Sequence, residues 1–174
     1  GDPLDPETRV GAIIEPVHMD KILANIAKAT DEGATLHAGG RQTRVDSGGW
    51  FVEPTIFTGV THDMTVAREE VFGPVLSVLS FRTMDEAISL VNGASYGLSA
   101  GVWSENVHTC LEFARRAQAG TIWTNTWMDG FPELPFGGVK ESGQGRELGR
   151  YGLEEFLEVK TVQMRIGRTR TNWI

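Results

Sequence analysis

The chain has 174 residues, 40% hydrophobic and 22% charged, with a formal net charge of −7. This is an ordinary globular composition, long enough to bury a core, and its acidic balance argues against a nucleic-acid binder, which needs a basic face. No apolar run approaches the length of a membrane span, no signal-peptide pattern opens the chain, and a single cysteine excludes an internal disulfide and fits a reducing, cytoplasmic compartment.

In chain order, residues 1–14 read as a loop leading to a short apolar run, Ala12 to Ile14. The opening Gly1, in loop-like sequence, reads as a piece of a longer protein. A helix is expected from Pro16, with Met19, Leu23, Ile26 and Ala29 or Thr30 on its inner face and Gly33 as its stop. Ala34 to Ala38 is a strand candidate, and Gly39 to Gly49 reads as an exposed polar excursion. Trp50 to Val60 reads as a strand interrupted by Pro54, which marks an edge or a bend.

Arg68-Glu69-Glu70-Val71-Phe72-Gly73-Pro74 is a turn carrying two carboxylates and an aromatic ring. The apolar run Val75 to Phe81 follows, as in strands buried on both faces. Thr83-Met84-Asp85-Glu86 is a capping box for a helix with Ala87, Ile88 and Val91 inward. Leu98 to Trp103 is a strand, and Ser104 can cap a helix burying Val107, Cys110, Leu111, Ala114 and Ala117. Gly120 to Thr124 is another strand. Strands alternating with helices predict an α/β domain with a largely parallel sheet. Asn125 to Gly152 is a long glycine- and proline-rich loop with Trp127, Phe131 and Phe136, an aromatic content disordered tracts lack. A short helix near Leu153–Phe156 and an alternating strand, Val159–Ile166, close the chain.

Several motifs fail on chemistry. Gly143 to Gly149 approximates a dinucleotide fingerprint, but its last spacing is one residue too long and no strand precedes it. Gly137-Gly138-Val139-Lys140 lacks the earlier glycine and the following Ser or Thr of a P-loop. The four histidines are scattered, with no ligand spacing, so surface or capping roles are expected. Cys110 sits on the apolar side of its helix, where a thiol is an inert core residue. The segment Trp127 to Glu133 has two readings: a rim for a cationic or polar ligand, or an exposed loop with an anchoring Trp. The pair Glu69-Glu70 is either a solvated acidic pair or a ligand contact at a strand mouth, where α/β proteins bind. There a carboxylate could accept ribose hydroxyls while Phe72 flanks a flat ring.

Three long segments, in order, resemble the aldehyde dehydrogenase superfamily. They are Glu69-Glu70-Val71-Phe72-Gly73-Pro74-Val75, then Asn92-Gly93-Ala94-Ser95-Tyr96-Gly97-Leu98-Ser99-Ala100, then Pro135-Phe136-Gly137-Gly138-Val139-Lys140-Glu141-Ser142-Gly143-Gln144-Gly145-Arg146-Glu147-Leu148-Gly149. The resemblance covers nearly the whole chain. It implies a three-layer α/β fold, with a sheet flanked by helices. Residues 1–158 would be part of a catalytic domain, and residues 159–174 an oligomerisation strand and tail.

The resemblance also implies roles. Glu70 would hold the nicotinamide ribose of NAD or NADP, with Phe72 beside the nicotinamide. Phe136 would line the aldehyde tunnel. The backbone carbonyls of Lys140 and Gly143 would hold potassium, and Glu147 would be a charge relay, as in betaine aldehyde dehydrogenases. Trp127, Asp129 and Glu133 also resemble that subgroup, whose substrates carry a cationic amine, whereas Phe136 departs from some of its members. Val159–Ile166 would pair subunits into a homo-dimer or homo-tetramer. The family's nucleophilic cysteine segment, general-base glutamate and cofactor domain have no match here, and Cys110 does not match the nucleophile. The implied parent activity is NAD(P)-dependent oxidation of a betaine-like or amino aldehyde to its acid, with this chain inactive alone. The alternatives are a non-enzymatic truncated homologue that acts as an interaction module, and an acyl-phosphate or semialdehyde-type relative.

Overall fold

A computed structural model describes residues 1–167. Helix α1 (Pro16–Asp31) starts with a proline at its first turn, where the missing N–H costs nothing. It ends where Gly33 takes φ 101°, a left-handed conformation that glycine adopts without strain. Its buried face is Met19, Ile22, Ile26 and Ala29. Ile22 therefore takes the place expected of Leu23, which is only partly buried.

Strand β1 (Thr35–Ala38), the short β2 (Gln42–Thr43) and a single 3-10 turn at Val45–Ser47 lead to β3 (Phe51–Val52) and β4 (Thr55–Thr58). Pro54 separates β3 from β4, which is the expected bend. The excursion is partly structured, since β2 pairs antiparallel with β3. One turn of helix, α2 (Thr65–Arg68), precedes the acidic turn and β5 (Val75–Ser77). The sheet order is β1-β4-β5, with β1 antiparallel and β5 parallel to β4. One core unites this region: Met19, Ile22, Ile26, Val52, Phe57, Val60, Met64 and Val66 pack together, with Phe57 and Ile22 fully enclosed.

The expected long strand from Val75 to Phe81 is corrected to three residues. It is not buried on both faces: Leu76, Val78 and Phe81 are exposed. The physical reason is position, because β5 is an edge of its sheet and nothing among the described residues pairs with its outer side.

Helix α3 (Met84–Asn92) is capped as expected, with the Thr83 hydroxyl accepting from the Glu86 amide at 3.2 Å. The Glu86 carboxylate reaches back to the Arg82 amide at 2.8 Å. Strands β6 (Tyr96–Gly97) and β7 (Ser99–Val102) precede α4 (Val107–Arg116). The cap of α4 is Asn106, not Ser104: Asn106 Oδ1 accepts from the His108 amide at 2.9 Å. Its buried residues are Cys110 and Phe113, while Val107 and Leu111 are exposed, against expectation. Strand β8 (Thr121–Thr124) runs parallel to β7. The loop then contributes β9 (Val139–Lys140), antiparallel to β6, before α5 (Gly149–Glu154), four residues earlier than expected.

The class is α/β, with mixed rather than largely parallel pairing. Val159–Ile166 is exposed and forms no strand among the described residues, since a strand needs a partner edge. Residues 168–174 of the expected tail lie outside the described residues. Among the described residues no helix is long and apolar enough to cross a membrane.

Candidate functional site

The turn Glu69–Pro74 is built by what precedes and follows it. The chain leaves α2 in extended conformation at Glu69. Phe72 adopts φ 56°, a left-handed conformation uncommon for a bulky residue and a mark of strain at functional turns. Gly73 lies against α1 so closely that a Cβ there would come within 2.6 Å of the Ile22 side chain, so a larger residue would have to displace it. The Pro74 carbonyl then accepts from the Thr55 amide at 2.8 Å and joins the sheet.

His18 Nε2 donates to the Phe72 carbonyl at 2.7 Å. Its ring meets the Phe72 ring edge-on, with centroids 6.1 Å apart. Phe72 is 73% exposed. Glu70 is exposed and makes no hydrogen bond or ion pair to a described residue. Both line a shallow cavity of about 350 Å³ with Glu69 and Ser77. An unpartnered carboxylate beside an outward aromatic face fits a riboside: the carboxylate accepts hydroxyl donors, and the ring flanks a planar base.

The glycine-rich loop brings a second set together. Phe136 and Glu147 exchange backbone hydrogen bonds of 2.8 and 2.7 Å. Both line a cavity of about 740 Å³. The loop crosses β8 at Gly120, where a Cβ would collide with the Gly137 carbonyl. Lys140 takes φ 57° and extends its Nζ to the Asn92 and Ala94 carbonyls at 2.8 and 2.9 Å, at the C-terminal end of α3, where a cation is favoured. The Gly143 amide donates to the Lys140 carbonyl at 3.4 Å, so the two expected potassium carbonyls belong to one turn. Arg146 ties the loop to itself through the Gly138 and Gly145 carbonyls at 2.8 and 2.6 Å.

The expected substrate residues divide. Phe136 and Asp129 line one cavity of about 810 Å³, with Trp123 and Phe131. Trp127 does not line it. It packs between Trp123 and Trp103, at centroid distances of 4.8 and 6.4 Å. About half of the residue is still exposed. Trp123 Nε1 donates to the Asp129 carbonyl at 2.8 Å, and the Thr126 hydroxyl donates to the Asp129 carboxylate. Glu133 is exposed outside the cavity lining.

Cys110 is buried, with its Sγ directed to the Ser104 carbonyl at 3.7 Å, which fits the core reading. Among the described residues, no three side chains of His, Cys, Asp or Glu gather to hold a metal. Away from these sites, two hydrogen bonds from Thr65, hydroxyl before amide, hold the Glu32 carboxyl below its ordinary range. The Thr61 hydroxyl does the same for Asp63. Sequence reasoning missed His18, Trp103 and Trp123. His18 and Phe72 are 54 residues apart, and no local pattern links them.

A profile described as the aldehyde dehydrogenase family matches residues 1–162. The chain belongs to that family. An aldehyde dehydrogenase of Enchytraeus buchholzi is 49% identical over 165 residues, which is 95% of this chain and 33% of that protein. A betaine aldehyde dehydrogenase of Rhizobium etli is 45% identical over 168 residues, 96% of this chain and 34% of that protein. The crystal structure of an NAD-dependent aldehyde dehydrogenase from Sinorhizobium meliloti matches with a TM-score of 0.94 and 48% identity, covering 98% of this chain and 34% of that one. The aldehyde dehydrogenase fold is thus shared over nearly the whole chain. The chain spans about a third of the length of these relatives.

Proposed function

We propose that the chain is the C-terminal part of an NAD(P)-dependent aldehyde dehydrogenase that oxidises a betaine-like or amino aldehyde to its acid. The observation that carries this reading is the Glu70–Phe72 turn, with its unpartnered carboxylate beside an outward ring. When bound, the nicotinamide cofactor supplies the hydride acceptor. Glu70 would accept hydrogen bonds from the nicotinamide ribose, and Phe72 would flank the nicotinamide. Phe136 and Asp129 would wall the aldehyde path, with Trp127 behind them and Glu133 at its rim. Glu147, fixed by its backbone pairing with Phe136, would relay charge towards the reacting centre. The Lys140 and Gly143 carbonyls would contribute to a potassium site. Residues 1–158 would form part of the catalytic domain, and Val159–Ile166 would add a strand to a partner subunit in a cytoplasmic homo-dimer or homo-tetramer. The nucleophilic thiolate would come from outside these residues, since Cys110 is buried on α4.

In the full-length enzyme, Glu70→Gln is expected to raise the KM for NAD+ roughly three- to tenfold, the scale of one ordinary hydrogen bond weakened when a charged acceptor becomes a neutral one. An unchanged KM defeats the ribose-clamp reading. The 174-residue chain alone is expected to form no NADH from betaine aldehyde. Turnover by this chain that disappears in Cys110→Ser would overturn both the inactivity and the core role of Cys110. A second reading, a non-enzymatic interaction module, draws on the exposure of Val159, Val162, Met164 and Ile166. Monomeric sedimentation of the isolated chain would count against it.

A further inference from the structure

We propose that His18 is a positioning residue for the Glu70–Phe72 turn. Its imidazole holds the Phe72 carbonyl and packs across its ring, so that the turn keeps Phe72 and the neighbouring carboxylate exposed for a nicotinamide riboside. The proposal rests on the cofactor reading above and assigns it a residue from a different element, α1.

The argument starts from how little else holds the turn. Among the described residues, the backbones of Glu70 and Val71 make no main-chain hydrogen bond, and neither does that of Phe72. Gly73 is tied only to Val75 two residues on, at 2.7 Å. Phe72 nevertheless sits at φ 56°, a conformation that costs free energy and persists only where the surroundings impose it. Its ring is exposed and contributes little burial. Among the described residues the contact with His18 is therefore the one polar tie on Phe72. A carbonyl can only accept, so His18 Nε2 carries the proton in this contact. The T-shaped approach of the imidazole adds a ring contact to that hydrogen bond while Phe72 stays largely exposed.

His18 can do this because α1 is rigid where it matters. The next residue, Met19, is buried, and Ile22, one turn on, is fully enclosed. The same Ile22 would meet any Cβ at Gly73, so the turn is pressed against α1 beside the His18 contact. At the far end of α1, Glu32 accepts from the Thr65 amide at 2.7 Å and from its hydroxyl at 2.6 Å. The segment from Thr65 to Phe72 is thus fastened to one helix at both ends. The two fasteners lie roughly 21 Å apart along α1, at 1.5 Å per residue. A shift of α1 would move α2 and the turn together.

The test compares His18→Leu, which removes the donor, with His18→Gln, whose side-chain amide can donate to the same carbonyl. Two readouts are taken on the full-length enzyme: calorimetric affinity for NAD+ and amide hydrogen exchange of residues 69–76, with α4 as the internal control. His18→Leu is expected to weaken NAD+ binding and speed local exchange, each roughly three- to tenfold, with α4 unchanged. His18→Gln is expected to restore both. Unchanged exchange and affinity in His18→Leu overturn the proposal. So does a loss that His18→Gln fails to rescue, because that marks lost packing rather than a lost hydrogen bond. Glu70→Gln run alongside separates the two readings. If it weakens NAD+ binding and His18→Leu does not, the positioning role falls and the clamp survives. If His18→Leu speeds exchange with rescue while Glu70→Gln leaves NAD+ affinity unchanged, His18 still holds the turn and the riboside reading falls.

Discussion

The Glu70–Phe72 turn and the Phe136–Glu147 loop are held by opposite means. The turn has almost no hydrogen bonds of its own but leans on a closed core, with Ile22 and Phe57 fully enclosed behind it. The loop has little core beneath it. It is fastened by polar ties: the Phe136–Glu147 pairing, the Lys140 ammonium on two carbonyls, Arg146 on two more, and the Ser142 hydroxyl accepting from the Gly97 amide at 3.0 Å. Around it Phe131, Leu134, Leu148, Tyr151, Leu153 and Phe156 are exposed. A site backed by burial keeps its shape because moving it would open the core. A site held by exposed hydrogen bonds competes with water at each bond, and so opens locally at low cost.

Three measurements can break or sharpen this contrast, taken from the largest expected effect to the smallest. Phe57→Ala removes the centre of the first core and is expected to cost about 3–5 kcal/mol in urea unfolding. It should also speed hydrogen exchange across α1, β4 and residues 69–76 together. If only β4 responds, the core does not back the turn. Lys140→Met removes the ammonium from the end of α3. It is expected to speed exchange of residues 136–147 roughly three- to tenfold and to leave residues 69–76 untouched. A response in both regions would mean they open as one unit. Glu32→Gln tests the smallest contribution. The folded carboxyl lies below its ordinary range, so its stabilisation is present above the unfolded value and is lost as pH falls through the folded one. The wild type should therefore lose protection at Thr65 on acidification, while Glu32→Gln shows the weaker protection at every pH. A wild type without this acid-dependent loss would remove Glu32 as a fastener of α2.

The segments proposed to carry chemistry were readable because short motifs with fixed spacing encode them. The Glu70–Phe72 turn, the Lys140–Gly143 turn and the Phe136 and Glu147 positions all fall inside contiguous stretches. The capping box at Thr83 and the glycine stop at Gly33 were likewise local and came out as expected. The buried faces were less readable. Ile22 replaced Leu23 in the core, and Val107 and Leu111 of α4 are exposed, because periodicity identifies an apolar stripe but not what lies opposite it. Val75–Phe81 has the composition of a doubly buried strand, yet only Val75–Ser77 pairs, since β5 has a neighbour on one side only.

The sequence by itself determined the family and the α/β class and marked the stretches proposed to carry function, because each depends on residue type and spacing along the chain. Only the tertiary structure decided which side chains meet. It put His18 on Phe72 across 54 residues. It set Trp127 between two other tryptophans rather than in the cavity with Asp129, and among the described residues it gave Val159–Ile166 no strand. Contacts of this kind are fixed by how helices and sheets pack, and packing is a property of distances in space that no local pattern records.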